Sequence, residues 1–78
     1  MNQFHHIVSD ARILGGKPCI RGTRISVQLI LEWMSVGTTI EEILVKYPHL
    51  TFEGVQEAVL IAAASLKNDI YLEFPKAA

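Results

Sequence analysis

The segment "GTTIEEILVKYPHLTFEGVQEAV", residues 37–59, carries the start and stop signals of two consecutive helices. Thr39 and Glu42 match a capping box, in which each side chain bonds the backbone amide of the other residue. Apolar residues then recur at the i, i+3, i+4, i+7 spacing of an amphipathic helix, at Ile40, Ile43, Leu44 and Tyr47. Because Pro48 cannot continue a helix, the pattern predicts a helix over 39–47.

A second helix follows the short connection "PHL". Thr51 can cap it, and Glu53 in its first turn faces the positive end of the helix dipole. A helix over 51–66 is predicted by a set of apolar residues along one face, namely Phe52, Val55, Val59, Ala62, Ala63 and Leu66. Two helices joined by such a short turn are typical of a helix-turn-helix motif, with the last helix as a candidate DNA reader. A plain trihelical bundle has the same pattern, and spacing alone gives that alternative at least equal weight.

Upstream, "SVQLILEWMSVG", residues 26–37, predicts the first helix of this core over 27–36. Ser26 is a plausible N-cap, and Gly37 is placed to end the helix as a C′ residue. The three helices should bury one set of side chains together, namely Trp33, Ile30, Ile43, Leu44, Val55 and Val59. The trihelical core therefore covers 27–66.

The segment that precedes the core contains "GGKPCIRGTR", residues 15–24. Its glycines and Pro18 predict short strands and turns over 5–27, with a hairpin-like bend around Gly22. The tail, 67–78, is ambiguous between a strand and an extension of the last helix. We interpret 1–78 as one mainly α domain, a helix-turn-helix-like three-helix bundle with a small N-terminal β element.

Length and composition restrict the class of protein. With 78 residues, 50% of them apolar, the chain can form one small domain, and such domains often gain stability by dimerising. The N-terminal strand and the tail segment "IYLEF" offer unpaired edges, so we predict a homodimer. No apolar run approaches a membrane span, and no signal peptide pattern opens the sequence. Together with the single cysteine of the chain, these features predict a cytoplasmic protein.

Charge is distributed unevenly along the chain. Residues 1–24 hold four basic residues and one acidic residue, a net charge of +3, whereas 25–78 carry a net charge of −4. Lys17 and Arg21 suit contacts with DNA or RNA phosphates. Arg24 is a candidate for the same role, but we favour the alternative that it is paired inside the fold while Gly22 supplies a positive φ. Gln56 could read adenine, although Glu53 and Glu57 repel phosphates from that helix.

Taken together, "GGKPCIRGTRISV" and "GTTIEEILVKYPHLTFEGVQEAV" resemble the family of domain of unknown function 433. Its pattern includes Gly16-Lys17-Pro18, Gly22-Thr23-Arg24 and Tyr47-Pro48-His49-Leu50, and the resemblance covers about residues 5 to 65. It implies a homeodomain-like trihelical fold with an N-terminal β element, usually dimeric. It also implies a role similar to VapB-type antitoxins of bacterial toxin–antitoxin pairs, with a PIN-type ribonuclease toxin as the partner.

Other chemistry is disfavoured by the pattern. Lys17 follows the first glycine pair and Pro18 removes an amide donor, which does not match a Walker phosphate loop. Cys19 has an apolar context typical of a small buried hydrophobe rather than a nucleophile. The histidines and Cys19 lack a recognised metal-ligand spacing. We therefore expect no enzyme activity, metal or cofactor. The leading hypothesis is an antitoxin-like regulatory module that can bind duplex DNA, and the alternative is a dimerisation or partner-binding domain without nucleic acid.

Overall fold

The computed structural model describes residues 5–69, with the side chains of 67–69 left out of the description. Strands β1 (Ile7–Val8) and β2 (Cys19–Ile20) are separated by a 3-10 turn at Leu14–Gly16. Three helices follow, α1 (Val27–Ser35), α2 (Ile40–Lys46) and α3 (Phe52–Asp69). The predicted mainly α class is confirmed, and α3 continues three residues beyond the predicted end. The tail segment "IYLEF" lies outside the described residues.

The predicted caps define the helix boundaries. Ser26 Oγ accepts a hydrogen bond from the Leu29 amide at 3.0 Å, and Gly37 follows α1 with φ +95°. Thr39 and Glu42 form both bonds of the capping box, at 2.9 Å and 3.1 Å. Thr51 Oγ1 accepts from the Gly54 amide at 3.0 Å. Local side-chain chemistry therefore sets the start of each helix, as the sequence predicts.

The β element is a small antiparallel sheet with a bend at its end. Ile7 pairs with Ile20 and Val8 pairs with Cys19. Beyond β2 the chain folds back, because the Ile20 amide donates to the Ile25 carbonyl at 2.9 Å and Cys19 bridges Ser26. Gly22 lies in this bend with φ +79°, which confirms the predicted turn and the role of the glycine.

Helix α3 is the element against which the others pack, since α1, α2, β1 and β2 all contact it. Ile30, Ile43 and Val55 are fully buried, and strand residues extend the same core. Trp33 and Leu44 are half-buried and pack against it. Trp33 stacks on the Tyr47 ring with 5.1 Å between centroids. Cys19 is completely buried, as expected for a small apolar side chain.

Within residues 5–69, none of the helices combines the length and the apolar character needed to cross a membrane.

Candidate nucleic-acid interface

The basic segment, residues 17–24, is held by backbone hydrogen bonds on both sides. The Arg21 amide donates to the His6 carbonyl at 2.8 Å, and the Val27 amide donates to the Pro18 carbonyl at 2.9 Å. Thr23 then closes the bend, because its hydroxyl donates to the Ile20 carbonyl at 2.8 Å and accepts from the Ile25 amide at 3.0 Å. The segment is therefore a braced turn that displays its long side chains.

All three cations of the basic segment are exposed. Lys17 Nζ lies 3.5 Å from Gln28 Oε1, and Arg21 Nε donates to the His5 carbonyl at 3.2 Å. Over residues 5–69 neither these two nor Arg24 has a carboxylate within ion-pair distance. The segment thus carries three positive charges that no described acidic side chain offsets.

The expectation that Arg24 is paired inside the fold is wrong. Its side chain is exposed and forms no hydrogen bond with the described part of the chain. The physical reason is that Thr23, rather than Arg24, supplies the bonds that lock the bend. Arg24 consequently belongs with Lys17 and Arg21 as a surface charge.

Arg12, the remaining basic residue of the N-terminal region, is neutralised locally. Its Nε and a terminal nitrogen donate to the two carboxylate oxygens of Asp10 at 3.1 Å and 2.9 Å. The side chain and then the backbone amide of Arg12 hold the pKa of Asp10 below its usual value, and Asp10 raises the pKa of Arg12. Arg12 therefore lies outside the basic segment, and its substitution can serve as a control in binding experiments.

Gln56, the predicted base-reading residue, is exposed on α3, and its side chain has no hydrogen bond to any described residue. It lies one helical turn from both Phe52 and Leu60, which are 42% and 53% exposed. This face of α3 thus presents apolar side chains and Glu53 rather than cations. Such a face does not resemble a helix that enters the groove of DNA.

Glu57, which the sequence suggested as a second repulsive surface charge, has a structural role instead. Its two carboxylate oxygens accept from the His6 amide at 2.7 Å and the His5 amide at 3.2 Å. His6 Nδ1 also lies 3.0 Å from Oε1, close enough for attraction but not aligned for a hydrogen bond. The His6 imidazole, and then the two amides, lower the pKa of Glu57 to about 2.

A pocket of about 390 Å³ opens beside this contact. We call it the histidine pocket, and its lining consists of His5, His6, Ile20, Arg21, Gly22, Thr23, His49, Leu50 and Thr51. Over residues 5–69, histidine, cysteine and acidic side chains do not converge into a group that could hold a metal ion. Sequence reasoning missed the pocket because its lining comes from three separate segments.

The helices α1 and α2 pack against α3 and, together with a two-stranded N-terminal sheet, define a small helical bundle with a β appendage. The chain belongs to the family described as protein of unknown function (DUF433), whose pattern matches residues 7–61. It is 34% identical over 59 residues to "Uncharacterized protein y4eO" of Sinorhizobium fredii. This match covers 76% of the chain but 27% of that relative, so the chain spans about a quarter of the relative's length. No solved structure matches it.

Proposed function

We propose that the protein is a small regulatory module of the antitoxin type that contacts duplex DNA through the basic segment. The observation that carries the proposal is the display of Lys17, Arg21 and Arg24 on one braced turn without carboxylate partners in the described part of the chain. Arginine and lysine side chains in this setting bind phosphate oxygens and release counterions. The turn, rather than α3, makes the main contact with the DNA.

The direct test compares DNA binding of two variants with the same change in charge. Lys17→Ala with Arg21→Ala removes two cations from the basic segment. The matched control, Arg12→Ala with Lys46→Ala, removes two exposed cations that lie elsewhere. Fluorescence anisotropy with a labelled duplex at low salt should show weaker binding for the first variant and nearly parental binding for the control. Equal losses would mean that net charge alone governs binding.

A second candidate function, partner binding, is favoured by the apolar face of α3. Phe52 and Leu60 are large, exposed and two helical turns apart, with Gln56 between them. We propose that this face carries the homodimer contact, in place of the N-terminal strand edge and the tail segment that the sequence suggested. Sedimentation at micromolar concentration should show a dimer for the parent and a monomer for Leu60→Asp. The control Val45→Asp, at an 82% exposed position on α2, should remain dimeric. A monomeric parent would contradict this candidate.

The antitoxin role itself comes from the family resemblance, which implies a PIN-type ribonuclease toxin as the partner. A neighbouring reading frame for a ribonuclease with an acidic site would support this role. If such a frame is absent, and the parent binds no duplex at low salt, the partner-binding alternative without nucleic acid becomes the better account.

A further inference from the structure

The lining of the histidine pocket combines two apolar side chains with a majority of polar residues. Ile20 and Leu50, both almost fully buried, supply the apolar part. The polar part consists of His5, His6, His49, Arg21, Thr23 and Thr51. At about 390 Å³, the pocket lies within the range of about 300–1,000 Å³ that is usual for small-molecule sites.

The charges around the pocket favour an anion. Its lining holds one permanent cation and three imidazoles, and no carboxylate belongs to it. The acidic group nearest to the histidines is Glu57 on α3, and its two oxygens already accept from the His5 and His6 amides. Glu53 is exposed in the first turn of α3, and the Tyr47 ring packs edge-on against His49 at 6.3 Å. The remaining charged neighbour, Arg21 of the basic segment, adds a positive charge.

Two residues of the lining carry hydrogen-bond donors that no described residue uses. Arg21 uses Nε for the His5 carbonyl, which leaves its terminal nitrogens without a hydrogen bond to the described residues. Thr51 Oγ1 accepts from the Gly54 amide and keeps its own proton for another acceptor. Guanidinium nitrogens and hydroxyl protons suit the oxygens of a phosphate group. The imidazoles and the apolar side chains of Ile20 and Leu50 suit contact with a planar ring in the same ligand.

We propose that the histidine pocket binds a small molecule that contains both a phosphate group and a planar ring, as a nucleoside monophosphate does, with Arg21 as the main charge partner. The proposal goes beyond DNA binding and does not depend on it.

The test is a nuclear magnetic resonance titration of the full chain at constant ionic strength. Inorganic phosphate, adenosine 5′-monophosphate and uncharged adenosine are added separately, with chloride as the salt control. We expect saturable shifts of the pocket histidines, Arg21 and Thr51 with phosphate, and tighter binding of the monophosphate.

Substitutions at two positions distinguish binding in the pocket from general electrostatic attraction. Arg21→Ala should weaken phosphate binding by about tenfold or more, the usual effect of losing a charge-assisted hydrogen bond, and Arg21→Lys should fall between it and the parent. Lys46→Ala removes the same charge from an exposed position outside both the pocket lining and the basic segment, and should bind as the parent does. Unchanged amide spectra elsewhere would show that each variant is folded.

Specific outcomes overturn the proposal. Phosphate that gives no saturable shift, or that shifts Lys17 and Arg24 as strongly as Arg21, would exclude a pocket site. If duplex DNA shifts the basic segment while phosphate and the monophosphate do nothing, the pocket proposal fails and the DNA proposal stands. If phosphate and the monophosphate shift the pocket residues while duplex DNA has no effect, the DNA proposal fails and the pocket proposal stands.

Discussion

The backbone nitrogen of His6 lies 2.7 Å from Glu57 Oε2 and joins the start of the described chain to the middle of α3. The same carboxylate accepts from the His5 amide. Since Arg21 bonds the carbonyls of His5 and His6, this contact also supports the basic segment and one wall of the histidine pocket. One acidic side chain therefore couples the β element to the helical core.

Glu57→Gln should destabilise the protein at neutral pH and much less in acid. Because the folded pKa of Glu57 is about 2, below its ordinary value of 4.5, the charged form stabilises the fold. That contribution is fully present above about pH 4.5 and is lost as the pH falls through about 2. Urea denaturation followed by Trp33 fluorescence should show a stability difference between parent and variant that shrinks across this window.

Glu53→Gln is the matched control for that measurement. It makes the same chemical change on the same helix, at an exposed position with no hydrogen bond from its side chain to the described residues. Its deficit should be smaller than that of Glu57→Gln, because among the described residues Glu53 loses only its interaction with the dipole of the first turn. A Glu57→Gln variant whose deficit is as large at pH 2 as at neutral pH would show that the carboxylate charge is not what secures His5 and His6.

The capping box of α2 gives a second prediction. Thr39→Ala removes the acceptor of the Glu42 amide, and loss of such a cap costs about 1 kcal/mol. Thr38→Ala, one residue earlier, removes the same hydroxyl where the side chain has no hydrogen bond within residues 5–69, and should be nearly neutral. Thermal denaturation of both variants checks this. Equal effects of the two substitutions would exclude a specific role of the cap.

Substitution of Gly22 tests whether the bend in the basic segment depends on glycine. A Cβ at this position would meet no atom within 4 Å, so a substitution is opposed by the backbone conformation alone, at φ +79°. Gly22→Ala should therefore cost about 1–2 kcal/mol. Gly22→Asn should cost less, because asparagine tolerates the left-handed region better. If both variants unfold at the parental urea concentration, the bend does not depend on glycine.

The features that the sequence predicted are those with local signals. Ser26, Thr39 and Thr51 each act within three residues of their own position, and Gly37 ends α1 through its own backbone. The bond between His6 and Glu57 joins residues 51 positions apart, and no local pattern marks such a pair. For Arg24, a candidate phosphate contact, the sequence favoured pairing inside the fold, because its motif does not reveal that Thr23 supplies the bonds of the bend. The direction of a side chain in a bend depends on tertiary pairing.

The salt dependence of duplex DNA binding tests the central claim, that the basic segment makes the phosphate contacts, most directly. The slope of the logarithm of the binding constant against the logarithm of salt concentration falls by about one unit for each phosphate contact removed. Lys17→Ala with Arg21→Ala should thus flatten the slope by about two units, while Arg12→Ala with Lys46→Ala should leave it near the parental value. A parental slope for the first variant, together with loss of binding in Gln56→Ala, would contradict the account and make α3 the DNA-reading element.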